Sequence, residues 1–310
     1  MGNNSSTCSE SACISCKVRQ EVIVARNPLK LGATIPDFEL TTTQGNFTLH
    51  CWLQGDGSTP WNLLVTHPRD FTPVCTTELG KCERLHANLQ KHRAKIIGLS
   101  CDTVEDHIEW SKDVLSRVGR EERAESRGHK KPSLAEMGEA LSFPIIADPQ
   151  RKIVRALGML DADEVDAAGD PLPARCLVVL FGTKVKLTLT YPATTGRNFD
   201  EVLRVLTSLQ LTHNQGLATP ADWTYGERVM VAPFQSSDDA RQRFEDFQVE
   251  HVPSAKAYLR SVRCPPTGQP TTCRSSLERV TILGPPMSPQ LPSSDSVTST
   301  WSGASSEVKL

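Results

Sequence analysis

A cysteine, a threonine and two prolines stand close together in the segment 67–78, which reads HPRDFTPVCTTE. Cys75 follows the apolar run WNLLVT at 61–66, typical of a buried strand, and precedes leucines at helical spacing. At a helix start, free backbone N–H groups and the positive end of the helix dipole favour a thiolate over a thiol. Cys75 is therefore a candidate nucleophile, although a lone cysteine at such a place is more often a small packed side chain.

The residues around Cys75 favour chemistry over packing. Thr72 stands three residues earlier, one helical turn in spacing, and its hydroxyl can both donate and accept hydrogen bonds. Pro68 and Pro73 stiffen the loop and reduce the number of backbone donors that it presents. The pattern indicates a stiff loop in which a hydroxyl stands one turn before a reactive thiol.

Strands and helices alternate around this loop. The strand at 61–66, a helix from about Thr76 and the strand KIIGLS at 95–100 form a βαβ unit. Further elements are predicted as a helix near 103–113, a strand at 143–148, a helix at 151–160, strands at 174–181 and 185–191, and a helix opened by Asn198. This order predicts an α/β fold with a mixed central sheet covered on both faces.

A charged segment, SRVGREERAESRGHKKPS at 116–133, interrupts this alternation. Its charges are of both signs and it contains no aromatic residue. Such a composition is typical of a solvated face, so we interpret the segment as a surface insertion and not as a binding patch.

Composition excludes several classes of protein. The 34 basic and 36 acidic residues leave a net charge of −2, so no overall field points to nucleic acid. No apolar run reaches the roughly 18 residues of a membrane span, and the N-terminus lacks an apolar signal-peptide core. Ten cysteines spread through core and tails are typical of free thiols in a reducing compartment. We therefore expect a cytoplasmic protein that is neither secreted nor membrane-spanning.

The segment HPRDFTPVCTTELG resembles the active-site segment of the peroxiredoxins, whose pattern Pro-x-x-x-Thr-x-x-Cys is met by Pro68, Thr72 and Cys75. The resemblance is to the one-cysteine (peroxiredoxin-6-type) subgroup and extends from about Leu31 to about Arg260. It includes the stretches VEDHIEWSKD, FPIIAD, LGMLD, YPATTGRNFDEVLRV and LATPADW. The number of ordered matches makes coincidence implausible.

The resemblance implies a thioredoxin-like core followed by a smaller C-terminal arm, and shifts in composition mark off a tail at each end, which makes four parts. These are a disordered N-terminal extension at 1–26, a thioredoxin-like peroxiredoxin domain at 27–210, a C-terminal arm at 211–263 and a disordered Pro/Ser/Thr-rich tail at 264–310. It also implies a homodimer and a thiol-dependent peroxidase that uses no metal or bound cofactor. The substrates would be hydrogen peroxide and organic or lipid hydroperoxides.

The resemblance also assigns roles to single residues. Cys75 would attack the peroxide O–O bond and become a sulfenic acid, while Thr72 would hold the peroxide by hydrogen bonding. Arg175 matches the active-site arginine of the family, and its permanent charge would favour the thiolate and stabilise charge on the oxygens. Pro68 would shield the pocket. Supporting positions around the pocket are matched by His67, Glu78 and Arg197.

The number and placement of the other cysteines decide how the sulfenic acid is reduced. Cys82 lies seven residues beyond Cys75, about 10 Å along a helix, which exceeds the roughly 7 Å Cα limit for a disulfide. Cys82 is therefore interpreted as a core residue. Cys264, in RCPPTG, is the one candidate for an internal resolving thiol. Otherwise an external thiol, such as glutathione or another small dithiol, must complete the cycle.

The sequence disfavours two other functions. Some proteins of the subgroup are reported as phospholipases. That activity needs an activated serine in a Gly-x-Ser-x-Gly turn, a histidine and an acid. Here the serine region reads GDGSTPWNLL around Ser58; His50 matches the histidine, but the acid position falls in FGTKVK, which contains no acid. Acyl hydrolysis is therefore disfavoured. A redox-inactive scaffold or holdase is disfavoured because Thr72, Cys75 and Arg175 are all present.

The N-terminus, MGNNSSTCSESACISC, fits a lipidation pattern. Gly2 after a removable Met, with Ser6 at the required spacing, predicts N-myristoylation. One myristoyl chain attaches only weakly, and Cys8 could accept palmitate as a second anchor. We therefore expect attachment to the cytosolic face of a membrane. The alternatives are a chance match in a tail, a zinc site that would have only three cysteine ligands, and peroxisomal targeting by the C-terminal VKL, and all three are disfavoured.

Overall fold

The computed structural model describes residues 29–125, 140–213 and 215–265. The strands are β1 (Glu39–Thr42), β2 (Gly45–Thr48), β3 (Trp61–Thr66), β4 (Ala94–Ser100), β5 (Ile145–Ala147), β6 (Leu160–Val165), β7 (Pro171–Pro173), β8 (Arg175–Phe181), β9 (Lys184–Tyr191), β10 (Leu217–Ala218), β11 (Val229–Val231), β12 (Gln248–Val249) and β13 (Arg260–Val262). The helices are α1 (Leu49–Gln54), α2 (Pro73–Lys91), α3 (Val104–Glu125), α4 (Lys152–Ala156), α5 (Phe199–His213) and α6 (Ser237–Arg243).

Seven strands form the central sheet, in the order β2-β1-β5-β4-β3-β8-β9. Strands β3, β4 and β5 are parallel, and the outer pairs are antiparallel, so the expected mixed sheet is confirmed. Parallel neighbours need crossover connections, which α2 and α3 supply. Side chains alternate across β3: Trp61, Leu63 and Val65 join the core on the side of α2, α3 and α5, whereas Leu64 joins the core on the side of α1 and α4. Both faces are therefore covered.

Helix α2 begins at Pro73, slightly earlier than the predicted start at Thr76. Pro73 suits the first turn because its missing N–H would have no helical partner there. The leucine-spaced face is buried as expected, with Leu79, Cys82 and Leu89 in the core. Cys75 consequently lies within the first turn of the helix, three residues after Thr72 at the N-cap position.

Helix α3 is longer than predicted. Thr103 caps it, because its hydroxyl accepts a hydrogen bond from the Asp106 backbone N–H at 3.2 Å. The helix continues to Glu125, and Val118 is buried on it together with Val114 and Leu115. The interpretation of 116–133 as a surface insertion is therefore corrected in part, since 116–125 continue the helix and Val118 is buried. Residues 126–133 lie outside the described part of the chain.

The helix predicted at 151–160 is also corrected. Helix α4 spans only Lys152–Ala156, and Gly158 then adopts a left-handed conformation with φ of +67°. This turn starts the hairpin of β6 and β7. The acidic sequence of β6, LDADEV, lacks the apolar alternation that marks a strand, so the hairpin was not predicted.

The C-terminal part has its own small sheet. Asn198 caps α5 by accepting from the Asp200 N–H at 2.9 Å, and α5 runs through the predicted boundary at 210. Strands β10, β11, β13 and β12 follow in that order around the buried Trp223. No helix within the described residues is long and apolar enough to cross a membrane. Disorder is expected for 1–26 and 264–310, and of these residues only 264 and 265 lie within the described part of the chain.

Candidate active site

A short loop, 67–72, carries the chain from the end of β3 to the start of α2. Within it Phe71 adopts a left-handed conformation with φ of +54°, which is uncommon for a bulky residue. The loop is fastened at Asp70, whose backbone N–H donates to Asp102 Oδ2 at 2.9 Å. The turn places Cys75 in the interior of the protein, where the residue is 0% exposed. A strained turn that is fixed by neighbouring contacts is a frequent property of functional sites.

Arg175 contacts the sulfur of Cys75. It is the first residue of β8, which pairs with β3, and its Nη1 lies 3.3 Å from Cys75 Sγ. The same Nη1 donates to Glu78 Oε2 at 2.8 Å, and Nε and Nη2 donate to the Ala193 carbonyl at 2.8 and 2.6 Å. A permanently charged guanidinium held at this distance favours the thiolate form of a cysteine.

Glu78 joins two arginines beneath Cys75. Its Oε1 accepts from the Arg197 backbone N–H at 2.7 Å and from Arg197 Nε at 3.0 Å, and its Oε2 accepts from Nη2 at 2.7 Å. Burial raises the pKa of Glu78, but the hydrogen bonds and charges of Arg197 and Arg175 outweigh burial and lower it. One carboxylate beside two guanidinium groups leaves a net positive charge next to the sulfur.

The other predicted site residues lie in the same loop. Thr72 is half-buried, and its hydroxyl donates to the Arg69 carbonyl at 2.9 Å. Pro68 is buried, as a shielding residue would be. His67 is fully buried, and its Nε2 faces Asp70 Oδ1 at 2.6 Å.

Two residues beside His67 were missed by sequence reasoning. Asp70 accepts from His67 and from His107, and both residues are buried. The segment VEDHIEWSKD contains His107 but gives no sign of this contact, because the partners are 37 positions apart.

Three further cysteines are packed in the body of the protein. Burial raises the pKa of the Cys82 thiol to about 12, and burial also raises the pKa of Cys101 to about 12. Cys176 lies buried on β8. The prediction that Cys82 is a core residue is confirmed, and thiols with so high a pKa are poor nucleophiles near neutral pH.

The residues considered for acyl hydrolysis do not form a catalytic group. His50 Nε2 lies 2.7 Å from the Ile35 carbonyl, and Asp37 is 4.0 Å from His50 Nδ1. Ser58 is in a loop, where its backbone N–H donates to Asp56 at 2.9 Å. No hydrogen bond joins Ser58 to His50 in the described part of the chain.

Comparison with known proteins agrees with this geometry. Residues 31–186 match the AhpC/TSA family, and residues 208–246 match the C-terminal domain of 1-Cys peroxiredoxin. The chain is 47% identical over 235 residues to peroxiredoxin-6 of Gallus gallus, covering 75% of this chain and 96% of that protein. It is 43% identical over 234 residues to a 1-Cys peroxiredoxin of Medicago truncatula, covering 75% and 97%.

Solved structures give the same result. A cysteine-to-serine mutant of peroxiredoxin 6 from Arenicola marina superposes with a TM-score of 0.66 at 44% identity, covering 76% of this chain and 98% of that one. A yeast mitochondrial 1-Cys peroxiredoxin gives 0.61 at 32% identity, with 76% and 99% covered. The α/β sheet with its C-terminal region is thus a thioredoxin-like fold.

The fold and the buried Cys75–Arg175 pair define a thiol-dependent peroxidase. The chain belongs to the peroxiredoxin family, in its one-cysteine, peroxiredoxin-6-type branch. The family resemblance noted in the sequence is therefore confirmed.

Proposed function

We propose that Cys75 is the nucleophile that reduces hydrogen peroxide and organic or lipid hydroperoxides. The contact of 3.3 Å between Arg175 Nη1 and Cys75 Sγ carries this proposal. The thiolate sulfur attacks one peroxide oxygen, so an S–O bond forms while the O–O bond breaks. The sulfur loses two electrons and becomes a sulfenic acid, and the other oxygen leaves as water or an alcohol after it takes a proton. Thr72 holds the peroxide, and Arg175 stabilises charge on the separating oxygens.

An external thiol completes the proposed cycle. Cys82 lies two helical turns beyond Cys75 on α2. Burial raises the pKa of its thiol to about 12, so the thiol stays protonated near neutral pH. Cys264 packs against the cluster around Trp223, and its Sγ donates to the Pro265 carbonyl at 3.4 Å. Burial raises the pKa of Cys264, which disfavours attack by it. The yeast 1-Cys relative is described as resolved through glutathione and thioredoxin systems, which supports a reductant such as glutathione.

Treatment with one equivalent of hydrogen peroxide tests both proposals. When the treated protein is unfolded in the presence of dimedone, which traps sulfenic acids, Cys75 should be labelled, and non-reducing mass analysis should find no stoichiometric disulfide between Cys75 and Cys264. Turnover supported by glutathione should persist in Cys264→Ser, because this thiol takes no part in the cycle. A Cys75–Cys264 disulfide together with lost turnover in Cys264→Ser would contradict this proposal and would identify Cys264 as the resolving thiol.

We also propose a homodimer. Strand β9 is an edge of the central sheet, and its start is covered by the segment 32–35 through hydrogen bonds such as Gly32 N–H to the Val185 carbonyl at 2.8 Å. Within the described residues, no strand pairs with the outer side of 186–191. An open edge of this kind is suited to pairing with a second copy. Light scattering should give about twice the chain mass of 34.0 kDa at micromolar concentration, and a monomer would contradict the proposal.

The membrane anchor remains a proposal that rests on sequence. Gly2 and Cys8 lie outside the described residues, and the motif around them supports acylation. Cells fed an alkynyl myristate should yield labelled protein in the membrane fraction, whereas Gly2→Ala should be unlabelled and move to the soluble fraction. A Cys8→Ser variant should keep the myristate label but bind membranes less stably, because one chain alone anchors weakly. A Gly2→Ala protein that remains membrane-bound would count against the anchor.

A further inference from the structure

A pocket lies between helices α2 and α3, beside the loop 67–72. Its volume is about 500 Å³, and small-molecule sites have volumes of roughly 300–1,000 Å³. The two helices pack closely at Gly80, where an added Cβ would come within 3.3 Å of Val118 Cγ2. The residues of α2 that line the pocket all precede Gly80, so the pocket lies beside the first two turns of α2.

Helix α3 supplies the charged side of the pocket. The lining residues Asp113, Ser116, Arg117 and Arg120 recur at spacings of three and four, so they share one face of the helix. Asp113 and Arg120 are exposed, and neither forms a hydrogen bond or an ion pair with another described residue. Two guanidinium groups and one carboxylate therefore line the same cavity.

The opposite wall carries hydroxyl groups and an exposed aromatic ring. It is lined from the start of α2 by Thr72, Pro73, Thr76 and Thr77. Phe71 also lines it, is 51% exposed, and has a backbone φ of +54° that is uncommon for a bulky residue. A strained turn that holds a large apolar ring outside the core favours a functional reason for the position of that ring.

The pocket adjoins the proposed catalytic cysteine. Thr72 and Thr76 line it, and Cys75 stands between them in sequence. Cys75 itself is not a lining residue and is fully buried. A molecule in the pocket is therefore held next to the sulfur before it contacts the sulfur. This arrangement fits the reductant, which reacts after oxidation, better than it fits the peroxide.

We propose that this pocket binds the reductant, a small peptide thiol that carries two carboxylates and one ammonium group, as glutathione does. Arg117 and Arg120 bind the carboxylates, Asp113 binds the ammonium group, and the hydroxyl groups of the opposite wall bind the peptide groups. The lining has one more positive than negative group, and such a thiol has the reverse. This inference rests on the proposed role of Cys75 and names the site at which its sulfenic acid is reduced.

The reduction consists of two thiol exchanges. The sulfur of the first peptide attacks the sulfenic sulfur of Cys75, so an S–S bond forms and the S–O bond breaks. The oxygen leaves as water with the proton of the attacking thiol. A second peptide thiolate then attacks the sulfur of the first, which releases the peptide disulfide and returns Cys75 as a thiolate that has regained two electrons. Because the sulfur is fully buried, the first turn of α2 has to open during the first exchange.

A fatty-acid hydroperoxide is the competing occupant, because its carboxylate would also bind an arginine. Its acyl chain needs a continuous apolar wall. The apolar lining residues are Phe71, Pro73 and Trp110, and Trp110 is itself fully buried. The remaining lining residues carry hydroxyl or charged groups, and an acyl chain packed against them would remove their water without replacing its hydrogen bonds. The lining therefore favours a peptide.

The first test compares two reductants of oxidised Cys75, glutathione and the uncharged dithiothreitol. Arg120→Gln should lower the ratio of their second-order rate constants about fivefold, and Arg120→Glu more than tenfold, because both changes weaken the attraction for a carboxylate. Arg155→Gln makes the same exchange at an exposed arginine of α4 outside the pocket, so it is the matched control and should keep the wild-type ratio. Equal ratios in Arg120→Glu and the wild type would overturn the inference.

The second test uses the wild type alone, so it does not depend on how a variant folds. Glutathione monoethyl ester lacks one carboxylate charge and should reduce the sulfenic acid about fivefold more slowly than glutathione at equal thiolate concentration. Added salt should slow glutathione more steeply than dithiothreitol, because it screens the charges of the pocket. A rate constant for glutathione that responds neither to esterification nor to salt would contradict the proposal.

A third measurement replaces hydrogen peroxide by a fatty-acid hydroperoxide. If Arg120→Gln slows oxidation by this substrate and leaves the reductant ratio unchanged, the pocket binds the acyl chain and the inference is overturned. Failure of the proposed function gives a different result, since full turnover in Cys75→Ser would remove that cysteine from the reaction. A Cys75 sulfenic acid that glutathione reduces equally fast in Arg120→Glu and the wild type would contradict only the role of the pocket.

Discussion

Replacing Cys75 by serine should remove peroxidase activity by more than about a thousandfold, as loss of the nucleophile does in other covalent enzymes. The substitution exchanges one sulfur for an oxygen at a fully buried position, so the fold should persist. A serine hydroxyl remains protonated beside Arg175, because its acidity is far lower than that of a thiol, and it does not attack the O–O bond. Peroxide consumption with excess glutathione measures the effect.

Cys82→Ser is the matched control, since it makes the same exchange two turns further along α2. Burial raises the pKa of Cys82 to about 12, so its thiol contributes no nucleophile near neutral pH. The rate constant for peroxide should therefore stay close to that of the wild type, although burying a hydroxyl will cost some stability. Substantial activity in Cys75→Ser, or its loss in Cys82→Ser, would refute the assignment of the nucleophile.

The second large effect is expected for Glu78→Gln. Glu78 accepts hydrogen bonds from both Arg175 and Arg197 and is 3% exposed. The substitution leaves two buried guanidinium groups without their carboxylate, which should lower the free energy of unfolding by about 3 kcal/mol. It also removes the charged acceptor that positions Arg175 Nη1 at the sulfur, while Nε and Nη2 stay bound to the Ala193 carbonyl, so the rate constant for peroxide should fall about 100-fold.

The stability loss in Glu78→Gln should depend on pH. The pKa of Glu78 is lowered in the folded state, so its contribution is present above the unfolded value, 4.5, and is lost as the pH falls through the folded pKa. Denaturant titrations should therefore show the largest difference between wild type and variant near neutral pH and a vanishing difference in acid. The exposed Glu109→Gln on α3 is the control and should change neither quantity. Equal stability of Glu78→Gln and wild type at neutral pH would refute the ion-pair argument.

The parts of the site that carry a sequence motif could be predicted. Cys75 and Thr72 stand at fixed spacing on one helical turn, so pattern and resemblance both indicate them, whereas the resemblance alone indicates Arg175. The chain of His67, Asp70 and His107 could not be predicted, because it depends on α3 packing against a loop 37 positions away in sequence. A backbone acceptor such as the Ala193 carbonyl, which holds Arg175, has no side-chain signature at all.

The errors in the predicted secondary structure also have physical reasons. Charges between Arg117 and Glu125 concealed the apolar spacing that continues α3 through Val118. The β6–β7 hairpin depends on the left-handed turn at Gly158, and its first strand is acidic, so local sequence gave no strand signal. Elements with strong apolar periodicity were predictable, whereas polar elements that depend on a turn were not.

The complete enclosure of the Cys75 sulfur affects how this protein would register in a chemical proteomics survey. Such surveys rank cysteines by labelling with iodoacetamide-type reagents, which are far larger than a peroxide molecule. A sulfur that is 0% exposed and in contact with Arg175 admits the small oxidant more readily than the bulky electrophile. In a native lysate Cys75 would thus be ranked among the cysteines that label slowly. Its labelling rate would report how accessible the sulfur is to a large reagent and not how nucleophilic the sulfur is.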